Sequence, residues 1–464
     1  MDQSVITRAV TVAGGRFAPG HLGELTRQVP FEMVDAVLEQ TCRVQRRVRV
    51  LPSRVVVCLL LAGCLFAEMG YVQVWRRLAA GLGGLPAAVP AASAMTQARR
   101  RLGPAPLREL FFLLRGPAPG GARWRGLLAV AIDGTIMTVA DSEANLAVYS
   151  RQRGGANGGA GYPTLRLLAL VSCGTRTVID AVFGPVSAGE LSYAAGLPGS
   201  LRAGMVLLAD RNFGAGPLAT QVAATGADFL VRVRTGKCAP GLPVLSRCPD
   251  GSWLSRFGGV PVRVIDAQVT VATSAGNADS RCRLVTTLID PARHPAGDLA
   301  VLYHERWEVE SAYFELKSTI LGGRVLRART PGGVEQEVFA LLVAYQALRT
   351  AIADAAGTVP GADPDRASFT VALNAARDQV ILAAGVLAAG EDADLAGTIG
   401  RHVLASLMPG RRPRVSPRVV KRAMSRYNAK GKVERTTRKA TIAIAILGAP
   451  LDTRRRTLTY RPCS

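Results

Sequence analysis

The stretch 124–233 holds the feature that most restricts the fold: apolar runs too short for buried helices, each closed by a polar or turn residue. LLAVAI (127–132), IMTVA (136–140), TLRLLALVS (164–172), RTVIDAVFG (176–184) and AGMVLLAD (203–210) read as strands, and Cys173-Gly174-Thr175 suits a hairpin. A helix near 217–225 and the strand DFLVRVR follow, so an α/β domain is expected here. Before it, FEMVDAVLEQ, RVVVCLLLAGCLFAE, YVQVWRRLAAGL and ASAMTQARRRL are divided by Pro and Gly, which predicts a small all-α region over 30–114.

After residue 234 the helical pattern stops. PVRVIDAQVTV (261–271) and CRLVTTLI (282–289) alternate as half-buried strands do, which predicts a β-rich insertion. Helical pattern resumes over 298–320 and 334–353, GTVPGADPD (357–365) reads as a linker, and a helical tail follows. The expected layout is a helical N-terminal domain (1–118), an α/β core in two parts (119–233 and 298–355) around the insertion (234–297), and a helical, basic C-terminal region (356–464).

Charge narrows the partner. The 464 residues carry 57 Lys and Arg against 34 Asp and Glu, a net +23 that attracts polyanions, with nucleic acid foremost. An apolar fraction of 48% argues against disorder. The longest apolar run, 55–67, falls short of the ~20 residues that span a bilayer, so no membrane partner is expected. The N-terminus lacks the basic-then-apolar order of a secretory signal, which implies a cytoplasmic chain without disulfides. Eight cysteines without a C-x-x-C pair and four scattered histidines make a zinc site a poor fit. RGGANGGAG (153–161) lacks the G-K-[ST] ending of a phosphate loop. Arg43, Arg46, Arg47, Arg49 and Arg54, with a second cluster at Arg99 to Arg101, suit phosphate contact.

Three acids stand where metal-dependent phosphodiester chemistry would need them. Asp133 ends LLAVAI and Asp210 ends MVLLA, and an acid directly after a buried strand projects at the sheet edge where ligands bind. In YHERWEVESAYFELK, Tyr303, Arg306, Glu310 and Lys317 recur at intervals of three, four and seven, which on a helix gives one stripe. Glu308 lies about 200° from Glu310, so only one of them can face that way, and the stripe selects Glu310. The competing interpretation is an exposed helix laced with ion pairs, since Glu305, Glu308 and Glu315 are also present.

With these residues the chain resembles the insertion-sequence transposases whose ribonuclease-H-like domain carries a Y-x2-R-x3-E-x6-K signature, here complete at Tyr303, Arg306, Glu310 and Lys317. AIDGT and LLADRNF supply Asp133 and Asp210 in matching strand contexts. SAMTQARRRLG and VEQEVFALLVAYQALR extend the likeness over most of 20–350. The resemblance implies a transposase that cuts one strand at each element end and joins the freed 3′-hydroxyl to target DNA. It implies two magnesium ions, replaceable by manganese, held by Asp133, Asp210 and Glu310. It also implies DNA contacts from Tyr303, Arg306, Lys317 and Arg211, a flipped base stacked on Trp307 or Trp253, and a homodimer on paired DNA ends. The rivals are a domesticated DNA-binding protein without catalysis and another ribonuclease-H-like nuclease such as a junction resolvase.

Residues 411–439 carry twelve Lys and Arg against one acid, Glu434. Deleting that segment should flatten the salt dependence of non-specific DNA binding, measured by titration over a range of salt concentrations. An unchanged slope would make it merely a solvated face.

Overall fold

The computed structural model describes residues 8–47, 49–153, 159–382, 397–409, 414–415, 438–450 and 455–457. It opens with a hairpin of β1 (Arg8–Thr11) and β2 (Phe17–Gly20), and helices α1 (Phe31–Gln40), α2 (Ser53–Leu65), α3 (Tyr71–Ala80), α4 (Ala92–Leu102) and α5 (Ala105–Leu114) follow. The N-terminal region is therefore not all-α. Gly14 and Gly15, at φ +80° and +68°, make a turn whose strands are too short to register as a hydrophobic period.

Next come β3 (Arg123–Trp124), β4 (Leu127–Thr138), α6 (Glu143–Leu146), β5 (Arg151–Arg153), β6 (Gly159–Ser172), β7 (Val178–Pro185) and α7 (Glu190–Ala194). The chain continues through β8 (Met205–Ala209), α8 (Gly216–Ala224), β9 (Asp228–Val233), β10 (Ser246–Arg247), β11 (Trp253–Phe257), β12 (Val260–Thr273) and β13 (Gly276–Thr286). Then follow α9 (Ala296–Leu302), a 3-10 turn (Tyr303–Trp307), α10 (Glu308–Phe314), a π-helical turn (Glu315–Ile320), α11 (Pro331–Gly357), α12 (Phe369–Leu382) and α13 (Gly397–Ala405). Short strands β14 (Arg414–Val415), β15 (Arg438–Ile446) and β16 (Arg455–Thr457) close the described chain.

One large mixed sheet runs β10-β11-β12-β13-β9-β8-β4-β6-β5, with β7 beside β6 and β15 beside β12. Its centre is parallel, β4 with β8 and β8 with β9, whereas β13 meets β9 antiparallel. The β-rich stretch after residue 234 thus extends the same sheet. The C-terminal region expected to be helical is so in α12 and α13, but beyond them the described residues are strand. Ile442, Ile444 and Ile446 alternate with small residues and are buried, and β-branched side chains at period two make a half-buried strand. The dense positive charge just before β15 obscures that alternation in the sequence.

Two compact units divide the chain: Met1–Gly120 with Met137–Tyr149 and Ala312–Met408, and Gly121–Ile136 with Ser150–Ser311 and Pro409–Ser464. In the first, α11 is the only helix among the described residues long and apolar enough to cross a membrane, yet 83% of its most apolar window is buried inside the protein. It is a core helix, and its few polar groups serve its neighbours. Gln336 Nε2 donates to the carbonyls of Arg99 (3.1 Å) and Gly103 (2.7 Å), and Gln346 Nε2 to those of Leu114 and Gly116 (both 3.1 Å). These bonds serve carbonyls at the C-terminal ends of α4 and α5, where the helix itself supplies few donors. Elsewhere in this unit the two arginine clusters meet. Arg43 Nη1 donates to the Arg101 carbonyl at 3.3 Å, and burial together with the nearby Arg49 charge lowers the Arg101 pKa. Arg54 is bound to Asp35.

Glu315 sits in the buried centre of the same unit. It accepts from Tyr345 Oη (3.1 Å) and Arg349 Nε (3.0 Å), and Arg349 is fully buried. Arg349→Met should lower the melting temperature by the equivalent of about 3–5 kcal/mol, because it strands a buried carboxylate. Adding Glu315→Leu should recover much of the loss in thermal unfolding; a double variant as unstable as the single would show that packing, not charge, dominates.

Candidate active site

The second unit gathers the acids by strand register. Residues 128–132 of β4 are at most 5% exposed, and all five residues of β8 are buried, so both strands lie deep in the sheet. Their parallel pairing sets Ile132 against Ala209. Asp133 and Asp210 are the next residues on adjacent strands, which run about 4.8 Å apart. Each is oriented locally. Asp133 Oδ1 accepts from the Gly134 amide (2.8 Å), and Asp210 Oδ1 from the Asn212 amide (2.7 Å). A Cβ at Gly134 would meet Glu190 Oε1 and Leu168 Cδ1 at 2.9 Å, so both side chain ends would have to move aside.

Arg306 joins the third acid to this pair. Its Nη1 stands 3.7 Å from Asp133 Oδ2 and its Nη2 3.5 Å from Glu310 Oε1, distances of ion pairing rather than of good hydrogen bonds. Arg306 is 8% exposed, its Nε is buried without a hydrogen-bond partner, and its guanidinium lies 4.8 Å from the Trp307 ring centroid. The Glu310 side chain is 45% exposed. One cation therefore bridges Asp133 and Glu310. Burial raises the Asp133 pKa from 3.8 to about 6, and the like charges of Asp210 and Glu310 add to the rise, while the Gly134 amide and Arg306 oppose it.

Tyr303 is half-buried and feels the charges of Arg306 and Asp210, and burial pushes its phenol up to about 12, so it remains a hydrogen-bond donor at neutral pH. Arg211 is exposed, directly after Asp210. Lys317 lies in the π-helical turn, which belongs to the other compact unit. The segment expected as one even helix is 3-10, then α, then π, and Arg306 and Glu310 keep their i,i+4 contact across the first junction. Trp307 is 48% exposed, whereas Trp253 is in the core with Arg283 over its ring.

Two features escaped the sequence. Arg232, next after the Ala209–Val231 pair, faces Asp210 across adjacent strand ends and contributes to the charge around Tyr303. Only the parallel register shows this, because Arg232 reads as an ordinary alternating residue in DFLVRVR. Glu308 and Glu315, which sequence offers as surface ion-pair partners, are 1% and 7% exposed. The apolar neighbours Val309, Ala312 and Leu316 were the available sign that this side of the segment packs inward.

Among the described residues no three His, Cys, Asp or Glu side chains close into a coordination shell. The chemistry of the donor set nonetheless suits a hard divalent ion: three carboxylates, an excess of negative charge, and a raised Asp133 pKa that a cation would bring down.

A family model described as the insertion element 4 transposase N-terminal region matches residues 19–112, and one described as the transposase DDE domain matches 124–347. The chain is 27% identical over 410 residues to the transposase InsG for insertion sequence element IS4 of Escherichia coli (strain K12), covering 85% of this chain and 91% of that protein. It is 30% identical over 128 residues to the putative transposase InsZ of the same strain, 26% of this chain and 42% of that one. Among solved structures, a piggyBac transposase synaptic complex with hairpin DNA aligns at a TM-score of 0.41 and 10% identity, over 82% of this chain and 84% of that one.

The folded Asp133 carboxyl titrates near 6 against an ordinary 3.8, so between these values the folded chain holds a proton that the unfolded chain releases. Stability then falls as pH rises through that window and stays lower above it. Asp133→Asn removes the penalty, so in chelator above about pH 6 the variant should be the more stable, by up to about 3 kcal/mol, with the gain gone below about pH 4. Melting curves of both proteins across that range measure it; equal stability at about pH 8 would show that Arg306 already compensates the charge.

Proposed function

We infer the chemistry of this site from one premise: the chain belongs to the insertion element 4 family of DDE transposases. It is an enzyme that acts on DNA. The observation that carries the residue assignment is the parallel register of β4 and β8, which sets Asp133 beside Asp210, with Arg306 in ionic contact with both Asp133 and Glu310. The strand order β7-β6-β4-β8-β9 supports a ribonuclease-H-like core.

Asp133, Asp210 and Glu310 are the groups that would hold two magnesium ions. Bound there, the ions would activate water and stabilise the leaving oxygen of a phosphodiester. The protein's own residues do the rest. Arg306 keeps the acids from repelling one another and stands beside the scissile phosphate, and Tyr303 donates its phenol proton as a hydrogen bond. Arg232 and Arg211 add positive charge next to Asp210, and we assign Lys317 a phosphate of the same DNA end. Of the two tryptophans, Trp307 is the exposed one and is the one we assign to stack a flipped base. The arginines that converge around Arg43, Arg49 and Arg101 supply phosphate contacts farther along the DNA. The basic segment 411–439, nearly all of it outside the described residues, is assigned the same sequence-independent role. Cleavage of one strand, transfer of its 3′-hydroxyl to target DNA and a homodimer on paired ends complete the proposal. DNA as substrate places the work in the cytoplasm of a bacterial cell. The intact acid set favours catalysis over a domesticated binding role.

Glu310→Gln keeps the shape of the side chain and removes the charge that binds the metal. DNA binding should persist while strand cleavage at the element end falls by orders of magnitude in magnesium, with at most partial recovery in manganese. Mobility-shift and cleavage assays on the same DNA would show this, and a Glu310→Gln protein that still cuts would remove Glu310 from the set.

A further inference from the structure

The turn between β6 and β7 reaches into the segment that carries the third acid. Arg176 Nε donates to Glu308 Oε2 at 2.8 Å, and the two side chains are 5% and 1% exposed. From the same turn, Cys173 Sγ lies 3.6 Å from the Glu305 carbonyl oxygen, within the reach of a sulfur donor. Backbone bonds close the turn on itself, Arg176 N to Ser172 O and Ser172 N to Thr177 O, both at 2.9 Å. Gly174 cannot be enlarged, because a Cβ there would meet the Ala122 amide nitrogen at 2.8 Å. Arg176 itself adopts φ +56°, a left-handed conformation that a long side chain rarely takes. A strained arginine in a tight turn, paired with a buried carboxylate far along the chain, is a specific attachment point.

Its consequence follows from helix geometry. Glu308 and Glu310 point about 200° apart, so fixing Glu308 inward fixes the direction of Glu310. The observed exposures agree, with Glu308 buried and Glu310 open beside Arg306. We propose that Arg176 is a positioning residue: by holding Glu308 it sets the rotation of α10 and so aims Glu310 at Asp133 and Asp210. Helix phase turns Glu308 away from the stripe that holds Glu310, and the ion pair gives it a duty at one remove from the chemistry. This inference rests on the carboxylate assignment above.

The test uses the full chain and Mn2+ alone as the probe, with binding read by electron paramagnetic resonance and folding by thermal melting. Arg176→Asn tolerates the left-handed backbone but loses the ion pair, and Glu308→Gln leaves Arg176 buried without its counter-charge, so each single variant should melt lower. The double variant Arg176→Asn/Glu308→Gln buries no unpaired charge and should regain most of the melting temperature. Its Mn2+ affinity should remain at least 10-fold weaker than that of the unaltered protein. Wild-type affinity in a folded double variant would overturn the proposal and leave the pair with a structural role only. Glu310→Gln runs alongside: loss of Mn2+ binding there upholds the carboxylate set, whereas unchanged binding there means that the set, not the lock, is misassigned. If the double variant fails to fold, Arg176→Lys, which keeps the charge but not the guanidinium geometry, gives the answer. A several-fold loss of affinity at normal stability supports positioning, and none refutes it.

Discussion

Parallel pairing between β4 and β8 is the constraint on which the site depends. Two aspartates distant in sequence become neighbours only because Ile132 lies opposite Ala209, and slipping the register by one residue would turn one of them to the other face of the sheet. The register is secured by burial. The paired residues 128–132 of β4 and all of β8 are almost wholly inaccessible, and the core around them includes Val130, Ile132, Leu168, Leu207, Phe229 and Val231. A fully buried parallel strand cannot slip without exposing its apolar side chains, so the apolar runs that define the fold also place the chemistry.

Charge is the cost of that placement. Three carboxylates are drawn together beside one nearly buried arginine, and the Asp133 pKa is raised chiefly because burial strips water from its charge, with the like charges of Asp210 and Glu310 adding to the rise and Arg306 opposing it. Contacts of 3.5 and 3.7 Å are too long to lock the guanidinium onto either acid. Such a loose arrangement suits a binding site for cations better than a structural salt bridge does. The contrast lies in the same helical segment, where Glu315 is held at hydrogen-bond distance by Arg349 and Tyr345 inside a packed core. Acids close together in sequence divide between chemistry and architecture according to what packs around them.

The sequence made the strands of the central sheet legible because their apolar runs are unbroken, and it made Asp133 and Asp210 legible because each directly follows such a run. The stripe of Tyr303, Arg306 and Glu310 survives in part. Arg306 and Glu310 meet, but the stretch is not one regular helix, since a 3-10 turn precedes α10 and a π turn follows it. Arg176 and Arg232 were illegible for a common reason: their importance comes from long-range contacts, one across a hairpin turn and one across a strand pair, and no local period reports either. Glu308 reads as a surface charge for the converse reason, because charge on a helix is normally solvated and only tertiary packing shows otherwise.

The C-terminal strand shows how one physical signal can hide another. Between 411 and 439 the charge density is so high that the segment reads as a polyanion-binding tail, yet Arg438 and Lys439 are also the first residues of β15. From there Ile442, Ile444 and Ile446 pair with Val271, Val269 and Ala267 of β12, inside the second unit's sheet. A fully charged tail would be free to follow the DNA backbone wherever it ran. The described end of this one is stitched into β12 by a row of buried isoleucines, which puts Arg438 and Lys439 in the same unit as Asp133, Asp210 and Glu310.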